Sequence, residues 1–297
     1  MRVIKGLNIE KHIRWILSHH RPDGSFISKK NIPSRLSDTY YAVRALQKIG
    51  KESLLDKKSL LAFVLSCEDK NGGFRNSSGH PPQPQFASYG FYLLSMLDYL
   101  PELDKGNHIS WLISLQADDG GFRVGKRKDS LINHTYYVFR TLARLKALES
   151  MDLAACSDFI ISCQDPEGGF SNHPGVVPQP LFTSFAIYIL DKLECIQKID
   201  IDKHKQWMLS LRAGKGFGNT PWKSAQLNHT YYIIRTLSIL DAMDNLDKQE
   251  LFKFILSTEN NKGGFSYQPG KSSNLLSTKH ALFLLRDVLL NRSPTDK

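Results

Sequence analysis

Apolar residues along this chain recur at helical spacing in short blocks, and the blocks themselves recur. Leu60, Leu61, Phe63 and Val64 make one face of a helix that stops just before a Gly-rich turn. About a dozen residues after such turns a second block begins, seen at 39–46 (TYYAVRAL), 135–142 (TYYVFRTL) and 230–237 (TYYIIRTL). The turns read DGSF, NGGF, DGGF, EGGF, GKGF and KGGF, and their closing residues Phe26, Phe74, Phe122, Phe170, Phe217 and Phe265 are 48, 48, 48, 47 and 48 residues apart. Eleven residues before each, ten in the fifth copy, stands Trp15, Phe63, Trp111, Phe159, Trp207 or Phe254, and a Ser always follows three residues later. This period predicts six repeats of two helices, twelve helices in all.

Helix pairs of constant length stack as an open solenoid or close into a ring. Open arrays end in atypical polar repeats, whereas the first and sixth copies here keep the full pattern. The expected fold is therefore all-α, an (α/α)6 toroid of roughly 48-residue repeats, forming one domain over residues 1–297 with its end repeats in contact. The copies also alternate. Odd ones carry Tyr40-Tyr41, Tyr136-Tyr137 and Tyr231-Tyr232 with Arg44, Arg140 and Arg235 beyond; the second and fourth carry Pro82-Gln83-Pro84 with Phe86 and Pro178-Gln179-Pro180 with Phe182. Features shared by all equivalent copies read as architecture. On that test the three Arg are structural and face the outer helices, because six residues of helix turn them about 240° from Asp38, His134 and His229. Ser37, Asn133 and Asn228 are expected to be N-caps.

Composition narrows the class. With 41% hydrophobic and 23% charged residues the chain is an ordinary globular one, and disordered or fibrous classes are excluded. No apolar run reaches the roughly 18 residues of a spanning helix, and Met1 to Gly6 leads into no signal-like apolar stretch, so a cytoplasmic protein is expected. Cys67, Cys156, Cys163 and Cys195 lack zinc-finger spacing and read as buried small residues. The net charge of +10 suits an anionic partner. Nucleic acid is set aside for want of a reader motif, and peripheral membrane contact is compatible with the charge.

The stretch from Trp111 through Gln116 and Gly120 to Phe122 resembles the QW motif of squalene-hopene and terpenoid cyclases, with Phe in place of the final Trp; Phe159 to Phe170, with Gln164 and Gly168, matches it too. GGF turns followed by HTYY at 134–137 and 229–232 are similar to the repeats of protein prenyltransferase β-subunits. The resemblance covers essentially the whole chain. It implies a barrel whose inner helices surround an aromatic funnel, an isoprenoid diphosphate or other apolar small molecule as ligand, and a second subunit as a compatible partner.

The resemblance does not extend to the family's known catalytic groups. Protein prenyltransferases hold zinc through an Asp and a Cys on one inner helix and a His on the next. The matching positions here are Asp38, Phe86, His134, Phe182, His229 and Ser277, and those two residues earlier are Leu36, Pro84, Ile132, Pro180, Leu227 and Leu275. No tightly bound metal is expected, though Mg accompanying a diphosphate would be compatible. The DxDD acid of class II cyclases and the DDxxD of class I synthases are missing as well.

His134, His229 and Asp38, in the first turns of inner helices, are the catalytic candidates; a His satisfied at a buried cap is the competing reading. Five of six second-turn positions are aromatic, namely Tyr41, Tyr89, Tyr137, Phe185 and Tyr232, with His280 the exception. Tyr41, Tyr137, Tyr232, Phe86 and Phe182 are candidate ligand contacts. After the third turn come Arg123, Lys126, Arg127 and Lys128, where the fourth copy has Ser171 to Val177 without a Lys or Arg. In the prenyltransferases that this loop resembles, cations here hold the isoprenoid diphosphate, and Lys29, Lys30, Arg35 and Lys223 would extend the basic rim. Two functions stay open: an isoprenoid-binding prenyltransferase-like or terpenoid-cyclase-like protein, and a non-catalytic α-toroid interaction module whose own aromatics fill its cavity.

Overall fold

A computed structural model describes residues 7–29, 31–126, 129–220 and 223–289 of the chain. Twelve α-helices occur among them, in outer–inner pairs: α1 (Ile9–Leu17) with α2 (Leu36–Lys48), α3 (Lys57–Ser66) with α4 (Pro84–Met96), α5 (Gly106–Ile113) with α6 (Ile132–Leu145), α7 (Leu153–Ser162) with α8 (Pro180–Lys192), α9 (Ile201–Ser210) with α10 (Leu227–Ile239), and α11 (Lys248–Ser257) with α12 (Leu275–Leu289). They fall into two compact units. In residues 57–204, α6 packs against α4 and α8, and the outer α3 and α7 pack on α4 and α8. In the unit of residues 1–56 and 205–297, α12 packs against α2, α10 and α11, and α1 against α2. The first and last repeats therefore meet inside this unit, as their intact patterns led us to expect.

One turn design recurs with small variations. Each turn Phe is buried, and the N–H groups of Phe26, Phe122, Phe170, Phe217 and Phe265 donate to the hydroxyls of Thr39, Thr135, Thr183, Thr230 and Thr278 in the first turn of the following inner helix, at 2.8–3.1 Å. The six periodic Ser residues all do one job. Ser18, Ser66, Ser114, Ser162, Ser210 and Ser257 donate back to the carbonyl of the aromatic three residues earlier, satisfying an acceptor at the end of the outer helix. The turn glycines make room for that aromatic in the next repeat. A Cβ on Gly73 would lie 2.7 Å from the Trp111 ring, and one on Gly264 would lie 2.6 Å from that of Trp15, with φ of +81° and +72° also excluding ordinary side chains.

A second tie between repeats was not expected from the pattern. The buried His108 accepts at Nδ1 from the Gly73 N–H, His204 from Gly169 and His12 from Gly264, at 2.9, 2.9 and 3.1 Å. Each imidazole stacks on the turn Phe of the same neighbour, Phe74, Phe170 or Phe265. In the third repeat, where Cys156 of α7 stands 48 residues from His108 and His204 in the place of a histidine, Asp119 of the turn itself accepts from the Gly121 N–H.

The expected N-caps are corrected. α2, α6 and α10 start one residue before Ser37, Asn133 and Asn228, with Arg35, Leu131 and Gln226 at the N-cap and no side-chain cap bond. Ile132 and Leu227 instead donate their N–H groups to the carbonyls of Asn172 and Tyr267 in the next repeat's loop, and Asn133 N–H goes to Asn172 Oδ1. A tertiary acceptor has taken the place of a local one. Cys156 and Cys163 are core residues, as expected, with burial pushing both thiols up to about 12. No helix among the described residues is long and apolar enough to cross a membrane.

Candidate functional site

The inner helices present their aromatic residues along one face. In the unit of residues 57–204, Tyr137 on α6 is buried between Tyr89 of α4 and Phe185 of α8, with ring centroids 5.8 and 5.7 Å away in edge contacts, and the Tyr89 and Tyr137 hydroxyls are 3.3 Å apart. Tyr136 lies flat on Phe185, 3.7 Å between centroids. Phe86, half-buried one turn before Tyr89, contacts its ring edge, and Phe182 is half-buried in the first turn of α8. Such pairings each add about 0.5–1.5 kcal/mol beyond area burial and hold the stripe rigid.

In the other unit the stripe is less uniform. Tyr41 on α2 and Tyr232 on α10 are half-buried. On α12 the fully buried His280 lies parallel to Tyr231, 3.9 Å away, and edge-on to Tyr232. Its Nδ1 donates to Asn228 Oδ1 at 2.9 Å, and burial drives its pKa well below 6.5, so the ring is neutral. Beside it Lys279, also buried, sets its ammonium over the rings of Tyr41, Tyr231 and Phe283 at 5.1–5.8 Å.

The three Arg do not face the outer helices. The Arg44 guanidinium lies 4.8 Å from the Phe283 ring centroid on α12, Arg140 donates to the Tyr136 hydroxyl and stacks on its ring, and Arg235 lies over Tyr231. The reason is helical phase. Arg140 and Arg235 follow Tyr136 and Tyr231 by four residues, which places them on the aromatic face. Arg144, over Tyr92, and Lys48, over Phe283, continue the same face one turn further. Sequence reasoning missed Lys279, which stands 48 residues after Tyr231, and Arg144 and Lys48, which follow Arg140 and Arg44 by four, although these spacings were visible.

Of the catalytic candidates, Asp38 is buried in the first turn of α2 and its Oδ2 accepts the Ser28 N–H at 3.0 Å. His229 sits at the same position of α10, half-buried, with burial and then Lys223 lowering its pKa. Asp38 and His229 are carried by helices that both pack on α12. His134 holds the equivalent place on α6 in the other unit. Among the described residues no three His, Cys, Asp or Glu side chains come together as a metal site. Lys126 is exposed beside Gly125; Arg127 and Lys128 lie outside the described residues, as does Lys30. Arg35, Lys29 and Lys223 are exposed.

Comparison with known proteins bears on the family and the fold. The chain is 31% identical over 86 residues to a probable geranylgeranyl transferase type-2 subunit beta of Dictyostelium discoideum, a match spanning 29% of this chain and 25% of that relative. Its fold is similar to that of Candida albicans protein geranylgeranyltransferase-I complexed with GGPP, with a TM-score of 0.80 and 18% identity over 95% of this chain and 92% of that one. It is also similar to the type II terpene cyclase MstE from Scytonema in its apo form, with a TM-score of 0.69 and 9% identity over 95% and 97% of the two chains. The model of the prenyltransferase alpha-alpha toroid domain matches residues 7–288, a span that takes in all six helix pairs. The chain therefore belongs to the prenyltransferase alpha-alpha toroid family, and its fold is an α/α toroid.

Proposed function

We propose that this protein binds an isoprenoid diphosphate as a prenyltransferase-like or terpenoid-cyclase-like protein. The observation that carries the reading is the pre-packed aromatic face of the inner helices, with basic loops at the N-terminal ends of those helices. In residues 57–204, Tyr89, Tyr137 and Phe185 would line the polyene chain, with Phe86 and Phe182 nearer the helix starts and Lys126, Arg127 and Lys128 at the head group. Tyr41 and Tyr232, with Arg35, give the other unit a comparable set. Aromatic faces solvate an apolar chain and also stabilise positive charge that develops on its carbons when a diphosphate leaves. Cations in a loop leading into a helix N-terminus suit the diphosphate itself. The Candida neighbour was solved with GGPP, and the Dictyostelium relative is named as one subunit of a transferase; both support an isoprenoid ligand and a partner subunit.

Zinc does not fit the donors present. Among the positions that match zinc ligands in the prenyltransferases, only Asp38, His134 and His229 can bind a metal, and no thiolate is among them.

Calorimetric titration of geranylgeranyl diphosphate into the protein tests the reading. Binding is expected, and replacing Lys126, Arg127 and Lys128 together with Ala should weaken it, each lost charge-assisted contact costing about 1.5–3 kcal/mol before solvent screening. A parent protein that takes up neither the diphosphate nor geranylgeraniol would overturn the proposal.

A further inference from the structure

Positive charge is unevenly spread along the chain. Of its 39 Lys and Arg, 24 fall in the unit of residues 1–56 and 205–297, together with 12 of the 29 Asp and Glu, whereas residues 57–204 hold 15 against 17. Within the basic unit the charge is divided again, between two edges. Arg44 of α2 meets Phe283 of α12, and Tyr231 of α10 meets His280 of α12, at matching depths along each helix, and Ser277 Oγ donates to Asn228 Oδ1 at 3.4 Å near the helix starts. The three inner helices are therefore parallel and begin on one edge. The loops that lead into them, residues 18–35, 211–226 and 258–274, carry nine Lys and Arg against Asp23 and Glu259. The stretches that follow α2 and α10 at the opposite edge, residues 49–56 and 240–247, carry five Asp and Glu against Lys51.

Both acids of the basic edge are already engaged, Glu259 by Lys11 and His12 and Asp23 by the hydroxyls of Ser25 and Ser34. Lys29, Arg35, Lys223, Lys262 and Lys271 are exposed, and none of them meets a carboxylate among the described residues. Tyr267 is exposed on the same edge, in a loop tied to its neighbour by the bond from Gln268 Nε2 to Ser224 Oγ at 2.7 Å. These cations sit on three loops whose helices pack about 8–10 Å apart, an extended array rather than a pocket. We propose that this edge is a docking surface for an anionic lipid membrane. A bilayer offers negative charge across its whole plane and needs no cavity to receive it, and each Lys or Arg brought to its surface raises partitioning about fivefold. A tyrosine at the edge suits the headgroup level, where its amphipathic ring settles. The acidic edge at the far end of the same helices is repelled, which orients the basic edge toward the lipid. The proposal rests on exposed charge and stands without the isoprenoid reading.

The test is cosedimentation of the full chain with vesicles of phosphatidylcholine alone or mixed with phosphatidylserine, at low and high salt. Binding to the mixed vesicles is expected, weakened by salt, with none to phosphatidylcholine alone. Lys262→Gln combined with Lys271→Gln, two exposed side chains outside the proposed diphosphate contacts, should lower partitioning about twentyfold. Lys57→Gln combined with Lys70→Gln, exposed in residues 57–204, should leave it unchanged. Equal behaviour of the two pairs would show attraction by net charge or by another face and would overturn the site. A parent protein that ignores the mixed vesicles would overturn it as well. If that protein instead takes up polyglutamate or duplex DNA, the edge belongs to an acidic protein or a nucleic acid. None of these outcomes bears on the uptake of geranylgeranyl diphosphate, so the two proposals fail separately.

Discussion

At the scale of residues, the buried histidines make the protein acid-sensitive. His204 must keep a lone pair on Nδ1 to accept the Gly169 N–H, so the ring has to be neutral, and burial lowers its pKa from 6.5 to about 4. The unfolded chain then binds the proton more readily. This contribution to stability is fully present above pH 6.5 and is lost as pH falls toward 4, amounting to about 2 kcal/mol between pH 7 and pH 5. His12, also lowered to about 4, acts in the same direction. In His204→Asn the amide oxygen can take the place of Nδ1 without titrating. Urea unfolding at the two pH values should therefore show a smaller acid loss in that variant, and an unchanged loss would refute the account. A related change tests the other nitrogen. His108 Nε2 has Glu68 at 3.1 Å and His12 Nε2 has Glu259 at 3.0 Å, whereas the same position before Phe170 is Gln164, and His204 Nε2 is buried without a hydrogen bond. Gln164→Glu should stabilise the protein at pH 7 by about 1 kcal/mol and raise the His204 pKa, readable by NMR titration. The three histidines are 96 residues apart, a signal present in the sequence. Their role was not legible, because each one satisfies a turn in a different repeat and no local pattern links donor to acceptor.

At the scale of elements, the turn and the inner helix are coupled by the Phe-to-Thr bond. Thr183→Val keeps the side-chain shape and leaves the buried Phe170 N–H without its 2.8 Å acceptor. A loss of about 1–3 kcal/mol in denaturant unfolding is expected, and a loss within a few tenths would mean that the hydroxyl is dispensable. The second repeat has Ala87 at this position; its turn Phe74 instead lies against Gly90, where a Cβ would come within 2.6 Å of the ring. Helix number, pairing and the aromatic face were all readable from the 48-residue period, because they depend on spacing along single helices. The direction of the three Arg was not. Rotation from the first-turn residues does not fix it, because the packed face is set by which residues meet α12 or the Tyr rings.

At the scale of the whole molecule, the contact between first and last repeats includes a close approach at Gly264, beside the packing of α12 on α2 and the His12 bond. Gly264→Ala would drive a Cβ into the Trp15 ring at a left-handed φ and should cost about 3 kcal/mol or more. Differential scanning calorimetry should show a much lower transition temperature, and a near-normal one would mean that this packing adds little. We also propose that the two units unfold as one domain; two separated transitions in the parent protein would exclude it. Elemental analysis is expected to find substoichiometric zinc and a chain that stays folded in chelator, and one zinc per chain lost together with activity would return His134 and His229 to contention.

The sequence by itself determined the helix pairs, the turn architecture and the family, since a hydrophobic period and a Gly-rich turn act locally and repeat six times in phase. It also contained every residue of the candidate sites. Only the tertiary structure decided which of them meet. The burial of Lys279 beside Arg44, and the neutral His280 on Tyr231, arise where α12 packs between α2 and α10, helices far apart in the chain, and the energy of such contacts depends on distance and burial that no spacing along one helix can encode.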